Sequence, residues 1–292
     1  MIINSPRQLK DWLRNKEKKD GIPANTLINY YMMERLLERI AASRYREMFI
    51  IKGGFLIASM IGVDLRSTMD LDTTVKGVVI SEQTVRDMMT EIMAIELDDH
   101  VIFQLAEIKN IHDEGQYDDF RLTVKAQFFT VRVMLKIDLT TGDLIIPREI
   151  EYSFKLMFED RSISVRAYNL LTILSEKIES VLARNISNTR ARDYYDIYTL
   201  LKIKKSEIYL PDLLEALQKK TKERETEIYL ERYPVYLKQI QESPDLRQIW
   251  LAYQKQYAYA TGITFSDIIT KIWETLDAIY SEFDAKVPIG AD

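Results

Sequence analysis

The sequence predicts an α+β fold: a mixed sheet with flanking helices, followed by a helical C-terminal part. Two observations carry this. Between residues 48 and 165 the apolar residues fall in short alternating or continuous runs of strand length, and from Tyr168 onward they recur at helical spacing in segment after segment. A third observation bounds it. The chain has 292 residues, 47% of them hydrophobic and 29% charged, and only 9 Gly and 7 Pro, which leaves little room for long flexible linkers. The expected domains are 1–165, α/β with N-terminal helices, and 166–292, helical.

Taken in order, Ser5 as N-cap and Pro6 at the first helical position open a helix over 6–20, which Asp20-Gly21-Ile22-Pro23 ends. Leu27, Tyr30, Tyr31, Leu36, Leu37 and Ile40 mark a second helix over 25–43. Met48–Ile51 is a short buried strand running into Gly53-Gly54, and Phe55–Ile61 makes one to two apolar helical turns. Met69–Val75 alternates as a strand, and Ser81 caps a helix that runs to Leu97. Strands are expected at 102–108, 121–129 and 130–139, with Tyr152–Phe158 and Ser162–Val165 forming a hairpin around Glu159-Asp160-Arg161. Helices then cover 168–184, 190–203, 211–221, 224–241, 244–260 and 265–284.

Composition narrows the function classes. The absence of Cys excludes disulfides and Cys-zinc sites and fits a reducing compartment; two His, His100 and His112, argue against a His-rich metal centre. The most apolar segment, Phe49–Val63, contains Lys52 and falls short of the ~20 residues of a membrane span. The N-terminus lacks the apolar core of a signal peptide. A soluble cytoplasmic protein with no membrane partner is expected. A net charge of −5 argues against a general nucleic-acid coat. Four basic islands remain, at Arg14–Lys19, Arg184–Arg192, Lys202–Lys205 and Lys219–Arg224. Each alone reads as a solvated helix face; together they can grip a folded RNA locally.

The chemistry concentrates in residues 52–75. Strand alternation puts Asp70 and Asp72 on one face and Met69, Leu71 and Thr73 on the other. Two neighbouring carboxylates repel unless a cation sits between them, and Mg²⁺ favours a few carboxylates plus phosphate oxygens. A third acid comes from V-R-V-M-L-K-I-D-L-T at 131–140: Val131, Val133, Leu135, Ile137 and Leu139 face the core, while Arg132, Met134, Lys136 and Asp138 line the opposite face. A strand that ends in Gly53-Gly54 and opens a helix lets phosphate approach backbone N–H groups at a positive helix terminus. Arg66 and Thr68 add donors. Asp70, Asp72 and Asp138 are the expected ligands of a divalent metal.

This ordered set resembles the nucleotidyltransferase superfamily with the polymerase-beta-type fold and, within it, the AbiEii/AbiGii toxin family. The carrying residues are K-G-G-F at 52–55, R-S-T-M-D-L-D at 66–72, K-I-D-L at 136–139, S-E-K-I-E-S-V-L-A-R at 175–184 and R-A-R-D-Y-Y-D-I-Y-T-L-L at 190–201. Many members of the superfamily carry Gly-Ser where this chain has Gly53-Gly54, a pair the toxin branch often shows. Whether Ser67 or Thr68 supplies the hydroxyl stays open. The resemblance implies that Lys52, Gly53, Gly54, Arg66 and Thr68 contact the nucleotide and that Lys177, from the helical part, reaches its phosphates in a cleft between the two parts. It also implies that Asp193 or Asp196 completes the site, with Arg190 and Arg192 facing phosphate or pairing with these acids. On residue spacing alone R-A-R-D-Y-Y-D reads equally as an ion-pair network between helices, the preferred reading for Asp196.

The implied activity is transfer of a nucleotide from an NTP, with two Mg²⁺ ions, to an RNA acceptor, the tRNA 3′ end. The implied setting is a type IV toxin–antitoxin pair acting in abortive phage infection, with a DNA-binding antitoxin encoded nearby. Nucleotidyl or phosphoryl transfer to a protein or to a small molecule such as an antibiotic stays open, as does a catalytically silent nucleotide- or RNA-binding module.

Overall fold

The Ser5 hydroxyl accepts the Gln8 N–H and starts α1 (Pro6–Asp20), which Gly21 closes in the left-handed region. Helix α2 (Ala24–Ala42) follows. The computed structural model describes residues 3–64, 66, 68, 70–111 and 119–284; Ser67, Met69 and His112 lie outside them. The chain divides into two compact units, one of residues 1–143 with 149–168, the other of 144–148 with 169 onward.

The first unit is built on a seven-stranded mixed sheet of order β3-β4-β5-β2-β1-β7-β6. The strands are β1 (Phe49–Lys52), β2 (Asp70–Val75), β3 (Val101–Asn110), β4 (Phe120–Phe128), β5 (Val131–Thr140), β6 (Ile150–Lys155) and β7 (Ser162–Ala167). Two pairings are parallel, β2 with β5 and β1 with β7. Two helices join the strands: α3 (Gly53–Ile61) between β1 and β2, and α4 (Glu82–Met93) between β2 and β3. Leu71, Leu122, Val124, Leu135, Ile137 and Leu139 form a buried face, and α2 packs against β3, β5 and β7.

The alternation in α2 suggests one apolar stripe, but the helix is buried nearly all round, polar residues included. Arg39 is 2% exposed. It donates to both oxygens of Asp99, at 2.7 and 2.9 Å, and to the Val101 carbonyl at 2.8 Å. This fork accounts for the early end of α4 at Met93 rather than Leu97: the chain must leave the helix to deliver Asp99 to Arg39. Glu34 is fully buried and accepts the Met157 N–H at 2.6 Å. Arg35 pairs with Glu38 at 3.0 Å and Glu159 at 2.5 Å, and Arg161 pairs with both acids.

The second unit is helical: α5 (Leu170–Arg184), α6 (Ala191–Ile203), α7 (Leu210–Glu223), α8 (Glu227–Glu231), α9 (Tyr233–Glu242), α10 (Pro244–Gln256) and α11 (Phe265–Asp284). Asn169 caps α5 through Thr172 N–H and donates to the carbonyls of Ile146 and Arg148, each at 2.8 Å, which ties 144–148 to this unit. The single helix expected over 224–241 is two. Pro234, in the first turn of α9, has no N–H for a continuous helix, so the chain breaks at Arg232. Helix α10 stops at Gln256, before Tyr257 and Tyr259 stack on each other at 5.3 Å. Among the described residues no helix is long and apolar enough to cross a membrane.

Burial pushes the Glu34 carboxyl from 4.5 up to about 8, against the pull of the Met157 N–H and Arg35. The folded chain therefore holds a proton that the unfolded chain releases near 4.5. The stability this proton supplies is complete at low pH and is lost as pH rises towards about 8. Glu34→Gln, shaped like the neutral acid, is expected to flatten the fall of Tm between mildly acidic and mildly alkaline buffer. Thermal melts of both proteins check this, and parallel curves would refute it.

Candidate active site

The parallel register of β2 and β5 sets Asp72 directly opposite Asp138 and Asp70 opposite Lys136. Partners in register point to the same face, so the three acids share one side of the sheet. β1 adds Lys52 opposite Asp72. Burial pushes the Asp72 carboxyl up, and Asp138 and Asp70 push the same way; Lys52 and the Gly54 N–H pull it down.

Gly53 shows why this turn needs glycine. Its φ is +65°, and a Cβ there would stand 1.9 Å from Asp72 Oδ2. The carboxylate fills the space a side chain would occupy, and the Gly54 N–H, in the first turn of α3, donates to it at 3.3 Å. Gly54 is crowded from another side. A Cβ there would meet Arg66 Nη2 at 2.8 Å and Thr68 Oγ1 at 2.9 Å. Arg66 and Thr68, both buried, thus put a guanidinium and a hydroxyl where residue 54 has no side chain.

Two residues at this face escaped the sequence reading. Arg121 of β4 sits opposite Asp138 and donates to both its oxygens, at 2.8 and 2.7 Å. The signal was present: the two-residue turn at Phe129-Thr130 pairs 128 with 131 and, counting back, 121 with 138. The second is Asp143. Lys52 Nζ donates to Asp143 Oδ2 at 2.5 Å and to Thr140 Oγ1 at 2.6 Å. The Thr74 and Thr140 hydroxyls also donate to Asp143, and Tyr168 bonds Thr74 at 3.0 Å. Burial alone would raise the Asp143 carboxyl; Lys52 and the two hydroxyls hold it well below the usual range. Lys52 is therefore anchored beside Asp72 by its bonds to Asp143 and Thr140.

The donor set suits a hard cation in its chemistry: carboxylate oxygens, one of them on a buried acid that neighbouring acids disfavour as an anion. Arg121 holds Asp138, and among the described residues no three acidic or imidazole side chains form a ready-made cage. Asp138 is engaged by Arg121, whereas among the described residues no side-chain bond occupies Asp70, and Asp72 accepts from the Gly54 N–H.

In the helical unit, Lys177 of α5 pairs with Asp193 at 2.7 Å and with fully buried Asp196 at 2.9 Å, both on α6. The three residues clip α5 to α6. Arg192 donates to the Tyr257 hydroxyl at 3.2 Å with its guanidinium 5.9 Å from that ring. Arg190 is exposed and lines, with Arg192, Asp193, Tyr253 and Tyr257, an open cleft of about 440 Å³.

Gly53→Ala should abolish activity, because the new Cβ displaces Asp72, and should cost roughly 1–2 kcal/mol in left-handed strain plus about 1–3 kcal/mol for the collision. Nucleotide incorporation and a melting curve read the two effects separately. Lys177→Ala leaves Asp196 buried without this cation and should cost about 3 kcal/mol. The double variant Lys177→Ala/Asp196→Asn should recover part of that loss in denaturant titrations; strict additivity would show that the pair does not couple.

Two crystal structures resemble this chain. One, of a candidate nucleotidyltransferase from H. pylori, gives a TM-score of 0.54 at 15% identity over 90% of this chain and 98% of that one. The other, of JHP933 from Helicobacter pylori, gives 0.53 at 15% identity over 89% and 94%. At that identity the likeness concerns the fold. No curated protein sequence matches. The family model described as nucleotidyl transferase AbiEii toxin, type IV TA system, matches residues 35–280. With the strand, Gly-Gly turn and Asp-x-Asp strand all inside that match, the chain belongs to the AbiEii family of nucleotidyltransferase toxins from type IV toxin–antitoxin systems.

Proposed function

We propose that this toxin moves a nucleotide from an NTP onto an RNA acceptor, the 3′ end of tRNA, in a magnesium-dependent reaction. The observation that supports the reading best is the pair Asp72–Asp138, set face to face with Asp70 beside them and the N-terminus of α3 at their edge. In the reaction the acceptor hydroxyl oxygen bonds to the α-phosphorus, the α–β anhydride breaks, and pyrophosphate leaves. Asp70, Asp72 and Asp138 would hold the metal, which when bound would neutralise phosphate charge and lower the pKa of the attacking hydroxyl. The backbone N–H groups at the start of α3, with Arg66 and Thr68, bind phosphate oxygens. Arg121, on Asp138, places a guanidinium beside the carboxylates, where it would offset charge on the phosphates. The cellular setting is the cytoplasm, with a cognate antitoxin, a DNA-binding regulator encoded nearby, restraining a toxin that acts in abortive phage infection.

The test supplies the protein and Mg²⁺ with each α-labelled NTP, total RNA and total protein. Label is expected on RNA of tRNA size, and a chelator should remove it. Asp72→Asn should lower incorporation by more than about 100-fold, the upper end for the outer-shell partners of a metal. Label on protein or on a small molecule would overturn the RNA acceptor and leave the nucleotidyltransferase assignment standing.

A further inference from the structure

We propose that the open face of β4 and β5 is the track along which the RNA acceptor reaches the carboxylates. The inference rests on the RNA reading above and names the surface that serves it.

The net charge of −5 hides a local excess of the opposite sign. On the face that carries Asp72 and Asp138, β4 presents Arg121 and Lys125 and β5 presents Arg132 and Lys136, all exposed or half-exposed. Arg121 is engaged by Asp138. Lys125, Arg132 and Lys136 have no carboxylate within ion-pair distance among the described residues. Several cations of the helical islands at 202–205 and 219–224 are different. Lys219 pairs with Glu215, Lys220 is 1% exposed between Glu176 and Glu223, Arg224 pairs with Glu179, and Lys204 pairs with Glu207. These helical cations have carboxylate partners; Lys125, Arg132 and Lys136 of the strand face do not, among the described residues.

Shape agrees with charge. From Asp138 to Arg132 the strand runs six residues, about 20 Å, the span of roughly six phosphates at the ~3.4 Å rise of a stacked strand. Thr123 and Gln127 alternate with the cations as hydrogen-bonding groups, and Met134, 54% exposed, offers an apolar surface between them. At the far end the turn presents Phe129, 44% exposed, with the His100 ring 5.2 Å away. A pleated face with cations for the backbone and an aromatic for a base is how sheets bind single strands. The track ends at Asp138, where a strand laid along it delivers its terminal hydroxyl. An acidic protein docked here would instead cover the approach to the carboxylates.

The test uses the full chain and fluorescently labelled, unfractionated tRNA, with affinity measured by anisotropy across a salt titration. Lys125→Glu/Arg132→Glu should weaken binding and lower the log–log salt slope by about 1.4, two contacts at ~0.7 each for a single strand. The neutral pair Lys125→Gln/Arg132→Gln should show a smaller loss of the same kind, which guards against misfolding of the reversed variant. Both should incorporate less label into RNA with NTP affinity unchanged. Wild type that labels RNA, with both variants binding tRNA at the wild-type slope, overturns the track alone. Variants that bind tRNA normally but escape the antitoxin assign the face to the antitoxin and overturn it too. Wild type that labels only protein overturns the acceptor reading, and the track with it.

Discussion

Asp72 and Asp138 stand opposite one another on adjacent parallel strands, and the first unit is organised around that repulsion. Each acid has a cation beside it: Lys52 in register with Asp72, Arg121 forked onto Asp138. The cations differ in kind. Lys52 is fixed by Asp143 and Thr140 and cannot leave without stranding a largely buried acid, whereas Arg121, forked onto Asp138, is 45% exposed at its side chain. A largely buried countercharge therefore stands beside the acid next to the glycine turn, and a half-exposed one holds the acid on the neighbouring strand.

Such an arrangement requires a sheet that does not yield, and α2 meets that need. Its Arg39 fork to Asp99 and Val101 and its Arg35 network with Glu38 and Glu159 fasten the helix to the chain on either side of the strands. Ion pairs so deeply buried add little net stability over an apolar core, since desolvation cancels much of their attraction. They do fix position, because a charge with a single partner geometry cannot slide. Glu34, pushed towards its neutral form, is where the cost of that polarity shows.

Much of this was readable in the residues. The alternation of 70–75 and 131–140 set the faces; Gly53-Gly54 reads in sequence as room for phosphate, and the structure shows the Asp72 carboxylate against Gly53. Arg121 was missed because a salt bridge across a hairpin depends on register, and register depends on the length of a turn that the sequence reading placed within strands. Asp143 was missed because its role is tertiary: three strands bring Lys52, Thr74 and Thr140 to it, and no spacing along the chain announces that. The helix expected over 224–241 failed for a local reason that was in view, Pro234. Lys177 illustrates the opposite limit. Glu176 and Glu179 flank it on α5, yet it pairs with Asp193 and Asp196 on α6, a choice only packing makes.

The same distinction governs the charges. Lys220 and Arg224 look like free cations in sequence because their partners Glu176 and Glu179 are some forty residues away; folded, each is paired. Lys125, Arg132 and Lys136 look unremarkable in sequence, spread among apolar neighbours at strand spacing. Folding removes the apolar neighbours to the other face and leaves the cations side by side. Where a chain is basic to a partner is thus decided by which charges the fold leaves unneutralised on one surface. In a sheet, period-two alternation is enough to create such a surface from residues that never form a cluster in sequence.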